Sequence, residues 1–221
     1  MISLFFALMF YTIENFINYT TFNRQLSKRM TSCVHCFIQI PLAVVVLSYP
    51  DLWIEKLGFT DLSKFIINIS AGYFLYDVHL CITNYKSEGI LNLIHALYCC
   101  TLYQYVALLK IYQFYLVSAL LWEISTPFLH LRWYFYKIRS LGTMYNINNI
   151  LLVTTFFVFR IIWGTLISYW FLGELNTNKF AYILKTCVLI GNLLNYYWFS
   201  IMISKIREKC KVGIAYKDYT Q

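Results

Sequence analysis

The chain has 221 residues, of which 60% are hydrophobic, 20% are aromatic and only 13% are charged, and its mean hydropathy is +0.58. This composition is too apolar for a water-soluble domain with one core and predicts an all-α, polytopic membrane protein. The formal net charge of +8 comes from Lys and Arg residues gathered in short clusters between apolar segments. Such clusters indicate membrane topology, and we expect no nucleic-acid partner.

The apolar segments predict about seven transmembrane helices, because a helix satisfies its own backbone hydrogen bonds in lipid. The predicted spans are 2–19, 30–48, 65–85, 90–109, 111–129, 149–172 and 181–204. The first span belongs to an N-terminal transmembrane helix at 1–21 that we expect to be retained. Residues 206–221 are predicted to form a basic cytosolic tail.

The basic residues predict the orientation of the chain. The clusters fall between the first two spans, after the fifth span and after the seventh, at Arg24, Lys28, Arg29, Arg132, Lys137, Arg139, Lys205, Arg207, Lys209, Lys211 and Lys217. With seven spans, all three clusters lie on one side of the membrane. Because basic residues accumulate on the cytosolic side, we expect a lumenal N-terminus and a cytosolic C-terminus.

The seven cysteines do not predict a disulfide framework, since several lie inside apolar segments. Cys33 and Cys36 form a C-x-x-C pair, but the second pair that a zinc site needs is missing. We therefore interpret these cysteines as small buried side chains and expect neither a metal ion nor a cofactor.

Polar side chains inside the predicted spans are candidates for a functional site, because each must find a partner or face a cavity. The segment LLWEISTPFLHLRWYFY concentrates several of them, with Glu123, Ser125, Thr126 and Pro127. Pro127 is expected to kink or end the fifth span. The candidates in the other spans are Asp77, His79, His95, Arg160, Lys185, Asn192 and Asn195.

Two of these residues allow alternative interpretations. Arg160, which shares a helix face with Trp163, is expected to form a buried ion pair with either Glu123 or Asp77. His95 is either a general base, since imidazole titrates near neutrality, or a partner in an interhelical hydrogen bond. Asn192 and Asn195 form a further polar stripe on the last span.

Six segments, in order, resemble the TLC domain superfamily, which includes the ceramide synthases. They are NRQLSKRMTSCVHC, SAGYFLYD, LIHALYCC, WEISTPFLHLRW, FFVFRIIWG and NLLNYYWF, and the resemblance covers 22–205. It implies a TLC domain at 22–205 whose six helices ring a lipid-holding cavity. It also implies a protein of the endoplasmic reticulum or another endomembrane, similar to fungal and animal TLC domain-containing proteins of lipid-homeostatic or unknown role.

The resemblance also bears on catalysis. Ceramide synthases carry two adjacent histidines and an acidic D-x-S-D pattern that serve acyl transfer. Here His95 matches the first histidine and Ala96 stands at the second, while Glu123 matches the first acid and Thr126 stands at the second. One histidine and one acid therefore differ from the ceramide synthase pattern.

Two hypotheses follow for the function. The favoured one is a protein that binds a membrane lipid within the helix ring and acts in lipid homeostasis. The alternative is a lipid acyltransferase that uses His95 as base with Glu123 and takes acyl-CoA as donor. Asp77, Ser125, Arg160, Trp163, Asn192 and Asn195 are expected to wall the lipid cavity or form its polar network. A transporter is least favoured because the sequence has no inverted repeat, and assembly into a homo-oligomer stays open.

Overall fold

A computed structural model describes residues 2–50, 53, 60–174 and 179–218, without the side chains of 179–181 and 209–218. Within these ranges the chain is helical and contains no strand. The helices are α1 (Ile2–Thr21), α2 (Arg24–Leu47), α3 (Asp61–Thr83), α4 (Tyr85–Leu109), α5 (Gln113–Lys137), α6 (Thr143–Glu174) and α7 (Lys179–Asp218). The predicted all-α membrane fold is confirmed.

Six of the described helices, α2 to α7, are long and apolar enough to cross a membrane. They correspond to the second to seventh predicted spans. The first predicted span forms the 20-residue helix α1, which is not among these six. A membrane crossing by α1 therefore stays a prediction.

All three basic clusters lie in helices, except for Arg139, although the sequence predicted loops and a tail there. Helix α2 begins at Arg24 because the side chain of Asn23 caps it, accepting a hydrogen bond from the amide of Leu26 at 3.1 Å. Helix α5 continues to Lys137, past the predicted end at 129. The predicted start of the second span and the predicted end of the fifth were therefore wrong by six and eight residues, respectively, and the orientation stays a prediction. The predicted tail likewise begins as a continuation of α7, which ends at Asp218.

Helices α2 to α7 close into a ring. In spatial order α2 packs against α3, α3 against α4, α4 against α7, α7 against α6, α6 against α5, and α5 returns to α2. This ring confirms the predicted arrangement of six helices. Helix α1 packs outside it, against α2 and α3, and buries Phe10 edge-on against the stacked rings of His35 and Tyr73.

Three helices of the ring depart from regular α geometry. In α5, Leu120–Ser125 is a 3₁₀ segment just before Pro127, whose ring nitrogen has no hydrogen to donate to the carbonyl of Glu123. Pro127 therefore changes the helix locally and does not end the span. In α6, Phe156–Trp163 is a π-helical segment, and in α4 Gly89 has a positive φ of 79° that breaks the helix after its first turn.

Candidate functional site

The helix ring encloses a cavity of about 450 Å³, which is within the range of small-molecule sites. All six ring helices contribute to its wall. Basic side chains from the start of α2, the last turns of α5 and the second half of α7 line one part, namely Lys28, Arg29, Arg132 and Lys205. These residues belong to the predicted cytosolic clusters, so the cavity reaches the basic end of the ring. Its other polar lining includes Asp77, His95, Glu123, Ser125 and Arg160.

Arg160 lies at the centre of a buried polar network. Its Nε donates hydrogen bonds to the carbonyl of Trp122 at 2.9 Å and to Ser125 Oγ at 3.0 Å. Its Nη2 donates to Thr126 Oγ1 at 3.0 Å and lies 3.6 Å from Glu123 Oε1. Of the two ion pairs that the sequence allowed, the structure therefore forms the one with Glu123. Because Arg160 and Glu123 are both buried, this pairing offsets the cost of holding their charges inside the bundle.

The irregular part of α5 provides these acceptors. The amide of Thr126 donates to the carbonyl of Glu123, as in a 3₁₀ turn, and not to the carbonyl of Trp122, as it would in an α-helix. The carbonyl of Trp122 is thereby available to Arg160. Thr126 Oγ1 also donates to Glu123 Oε2 at 2.8 Å. The hydroxyl at the position of the second ceramide synthase acid therefore bridges Arg160 and Glu123.

His95 lines the same cavity from α4, and its ring contacts the rings of Phe74 on α3 and Trp198 on α7, but its polar contacts lie within its own helix. Its Nδ1 lies 3.1 Å from the hydroxyl of Tyr98, and its Nε2 lies 3.9 Å from Cys99 Sγ. Among the described residues, no hydrogen bond joins His95 to Glu123. The two candidate catalytic groups therefore share one cavity without a hydrogen bond between them in the described part of the chain, and their catalytic roles stay predictions.

The remaining predicted site residues separate into two groups. Asp77 lines the cavity, and Asn195 accepts a hydrogen bond from Arg160 Nη1 at 3.4 Å. Trp163 instead donates from Nε1 to the carbonyl of Ser118 at 3.2 Å, and Asn192 bonds the carbonyl of Val188 in its own helix. Trp163 therefore joins α6 to α5, and Asn192 satisfies a local backbone group.

The structure adds cavity residues that the sequence analysis did not select. Lys28 lines the cavity and forms an ion pair with Glu88 at 3.1 Å. Cys36 is buried behind the lining residues, and its Sγ lies 3.7 Å from Glu123 Oε2. Gln25, Lys28, Arg29 and Ser32 line the cavity from one face of α2. These residues are three or four positions apart, a spacing that places them on one helix face. The sequence prediction missed this face because it began α2 at residue 30.

A second, smaller cavity of about 50 Å³ lies beside the first. Phe74, His95 and Glu123 line both cavities. The other residues around the small cavity are mostly apolar or aromatic, including Leu102, Tyr103, Leu116, Ile167, Phe171 and Val188. We refer to it as the inner chamber. The site therefore changes from a basic end, through a polar middle, to an apolar interior.

Comparisons with known proteins identify the family. The model of the TLC domain matches residues 25–204. Topoisomerase I damage affected protein 4 of Saccharomyces cerevisiae is 27% identical over 235 residues, which cover 94% of this chain and 82% of that protein. An uncharacterized TLC domain-containing protein of Schizosaccharomyces pombe is 29% identical over 189 residues, covering 81% of this chain and 64% of that protein.

The similarity extends beyond fungi. TLC domain-containing protein 4 C of Dictyostelium discoideum is 26% identical over 237 residues, covering 93% of this chain and 86% of that protein. No protein of known structure matches the chain. Since the TLC domain model covers most of the sequence and the described helices form a membrane-spanning ring, this protein belongs to the TLC domain family of polytopic membrane proteins.

Proposed function

We propose that this protein binds a membrane lipid in the ring cavity and acts in lipid homeostasis, in the endoplasmic reticulum or another endomembrane. The observation that carries the proposal is the cavity of about 450 Å³, which has charged groups and an apolar inner chamber beside it. An amphipathic ligand matches this gradient, because its polar end can pair with fixed charges while its chain replaces water against apolar walls.

The polar network supports binding more directly than catalysis. Glu123 is already engaged by Arg160 and Thr126, so its carboxylate is held in place by groups of the protein itself. Ser125, Thr126 and Asn195 satisfy most of the donors of Arg160. Such a network keeps a fixed, polar wall inside the membrane at which a polar group of a lipid can be recognised.

One observation favours acyl transfer as a second candidate. His95 and Glu123 line the same cavity, and His95 also borders the inner chamber. In that reaction His95 would accept the proton of a lipid hydroxyl or amine as it attacks the thioester carbonyl of an acyl-CoA, and the departing thiolate would take up a proton. The new ester or amide bond would replace the thioester bond.

The test of lipid binding compares two tryptophan variants on α5. Leu129 lines the cavity and Leu131 does not, although their exposed fractions are 43% and 42%. We expect Leu129→Trp to reduce the amount of lipid that copurifies with the protein, as measured by mass spectrometry after extraction, because the indole occupies cavity volume. Leu131→Trp should retain the wild-type amount. Equal lipid content in the two variants would contradict binding in this cavity.

A second experiment separates binding from catalysis. Cells that lack the protein are complemented with the wild type, His95→Ala or Glu123→Gln at matched expression, and their lipids are profiled. Full restoration of the lipid profile by both variants would exclude the acyltransferase candidate and leave lipid binding intact. Loss of restoration with unchanged copurified lipid would favour acyl transfer.

A further inference from the structure

Four basic side chains converge on the cavity at its basic end. Arg29 comes from α2, His130 and Arg132 come from α5, and Lys205 comes from α7. We call these four residues the rim cluster. They come from three separate parts of the sequence and line one cavity because α2, α5 and α7 enclose it. Other basic residues at this end, such as Lys86, Lys137 and Arg139, do not line it.

Within the part of the chain whose side chains are described, the cations of the rim cluster have no carboxylate partner, unlike the other cations of the cavity. Lys28 is neutralised by Glu88, and Arg160 is neutralised by Glu123. Among residues with described side chains, Arg29, Arg132 and Lys205 form no ion pair. Five Lys and Arg residues line the cavity against three carboxylates, so its basic end carries excess positive charge. An anionic group is the ligand that this charge favours.

Arg29 and His130 are oriented by their neighbours. The guanidinium of Arg29 lies over the ring of Trp133, 4.4 Å from its centroid, and its Nη1 lies 3.4 Å from His130 Nδ1. Because a guanidinium can only donate, Nδ1 is the acceptor and a neutral His130 carries its proton on Nε2. That Nε2, like Nε of Arg29, has no hydrogen-bond partner among the described residues. The cluster therefore holds donors that an oxyanion can satisfy.

The position of the cluster selects the kind of anion. Arginine forks and lysine ammonium groups both bind phosphate oxygens. The rim cluster lies at the basic end of the ring, where lipid phosphates are found, while the inner chamber lies deeper, beyond His95 and Glu123. A single molecule that satisfies both ends carries a phosphate and an acyl chain.

We propose that the lipid bound in this cavity is a phospholipid whose phosphate is held by Arg29, His130, Arg132 and Lys205. This inference rests on the proposed function and narrows it, because it excludes neutral lipids as the main ligand. One acyl chain then faces the inner chamber, whose volume of about 50 Å³ admits only a few of its carbon atoms.

The test measures binding to the purified full-length protein in a nonionic detergent, by thermal shift and native mass spectrometry. The probes are dioleoyl phosphatidic acid, dioleoylglycerol with the same chains, inorganic phosphate and oleoyl-coenzyme A. We expect phosphatidic acid to bind and to raise the melting temperature, and dioleoylglycerol to bind at least about tenfold more weakly. Equal binding of dioleoylglycerol would overturn the phosphate site but not lipid binding, whereas binding of neither lipid would overturn the proposed function.

The other two probes, inorganic phosphate and oleoyl-coenzyme A, identify the molecule that carries the bound phosphate. Binding of inorganic phosphate as tightly as phosphatidic acid would show a free-anion site and overturn the phospholipid proposal. Tighter binding of oleoyl-coenzyme A than of phosphatidic acid would also overturn it, because the ligand would then be a thioester donor.

Matched charge variants locate the site. Removing three basic groups near a lipid surface should weaken binding by roughly tenfold to a hundredfold, so Arg29→Gln/Arg132→Gln/Lys205→Gln should lose phosphatidic acid binding. The control Lys86→Gln/Lys137→Gln/Arg139→Gln removes the same charge from the same end, outside the cavity, and should bind within about twofold of the wild type. Equal weakening in both variants would assign binding to general surface charge and overturn the site.

Two single variants distinguish a loss of lipid binding from a loss of folding. Arg132 and Lys205 make no hydrogen bond or ion pair with any residue whose side chain is described, so Arg132→Gln and Lys205→Gln should keep the wild-type melting temperature without lipid. Each should still weaken phosphatidic acid binding severalfold. Wild-type affinity in both single variants would contradict the proposal.

Discussion

The position of Arg160 depends on two local departures from α geometry. The π-helical segment of α6 carries Arg160, and the 3₁₀ segment of α5 exposes the carbonyl of Trp122 that accepts its Nε hydrogen bond. Pro127, which has no backbone N–H, is the chemical cause of the 3₁₀ segment in α5. These two irregular segments therefore determine where the charge of Arg160 can lie inside the ring.

Arg160→Leu should destabilise the protein by about 3–5 kcal/mol, because it leaves the buried Glu123 carboxylate without its cation. Lys185→Leu is the comparison, since Lys185 is only half-buried and long enough to reach the membrane surface, and it should change stability by at most about 1 kcal/mol. Thermal unfolding in detergent measures both. The double variant Glu123→Gln/Arg160→Leu should recover part of the loss. Equal melting of the two single variants would contradict the ion-pair argument.

At the scale of elements, the packing of α1 against α3 depends on a glycine. A Cβ atom on Gly72 would lie 2.4 Å from Phe6 Cβ and 2.6 Å from the carbonyl oxygen of Ser3. The helices thus approach more closely than any other residue permits. The buried carboxylate of Glu14, which accepts a hydrogen bond from the hydroxyl of Tyr76 at 3.1 Å, adds a polar contact farther along the same interface. Helix α1 is therefore an integral part of the packed bundle.

Gly72→Ala should destabilise this interface by about 1–3 kcal/mol, because the added methyl group meets backbone atoms of α1 that cannot move aside independently. Gly173→Ala, on α6, has no neighbouring atom within 4 Å of the new Cβ and serves as the control. Thermal melting should fall for Gly72→Ala alone, and α1 should become more susceptible to proteolysis. An unchanged melting temperature for Gly72→Ala would show that α1 is not docked in this way.

At the scale of the whole molecule, the closed ring brings together basic residues from distant parts of the chain. The ion pair between Lys28 and Glu88 joins the start of α2 to the start of α4. Since successive ring helices run in opposite directions, the basic ends of α5 and α7 lie at this same end of the ring. Some of the basic residues that predict the orientation of the chain therefore also line the rim of the cavity.

The orientation can be tested with reporters at both ends of the chain. A reporter fused after Gln221 should lie in the cytosol, because the basic end of the ring follows the positive-inside rule. A reporter fused before Met1 should lie in the lumen if α1 crosses the membrane. Glycosylation or protease protection of the reporters measures each side. A lumenal C-terminal reporter would overturn the predicted orientation, and a cytosolic N-terminal reporter would show that α1 does not cross.

The sequence by itself determined the class and the number of ring helices, because hydropathy over about 20 residues is a local property that does not depend on neighbours. It also identified most residues of the polar network, since a charge in an apolar segment is visible without a structure. It did not locate the start of α2, because capping by Asn23 extends this helix before its apolar part. It did not locate the end of α5 either, because this helix continues past Pro127.

Only the tertiary structure decided which polar groups meet. The sequence allowed Asp77 or Glu123 as the partner of Arg160, and the packing of α5 against α6 selects Glu123. The closure of the whole ring leaves His95 and Glu123 in one cavity without a hydrogen bond between them among the described residues, and it brings Arg29, Arg132 and Lys205 to one rim. Contacts between helices that are distant in sequence depend on how the ring closes, and no local pattern of residues carries that information.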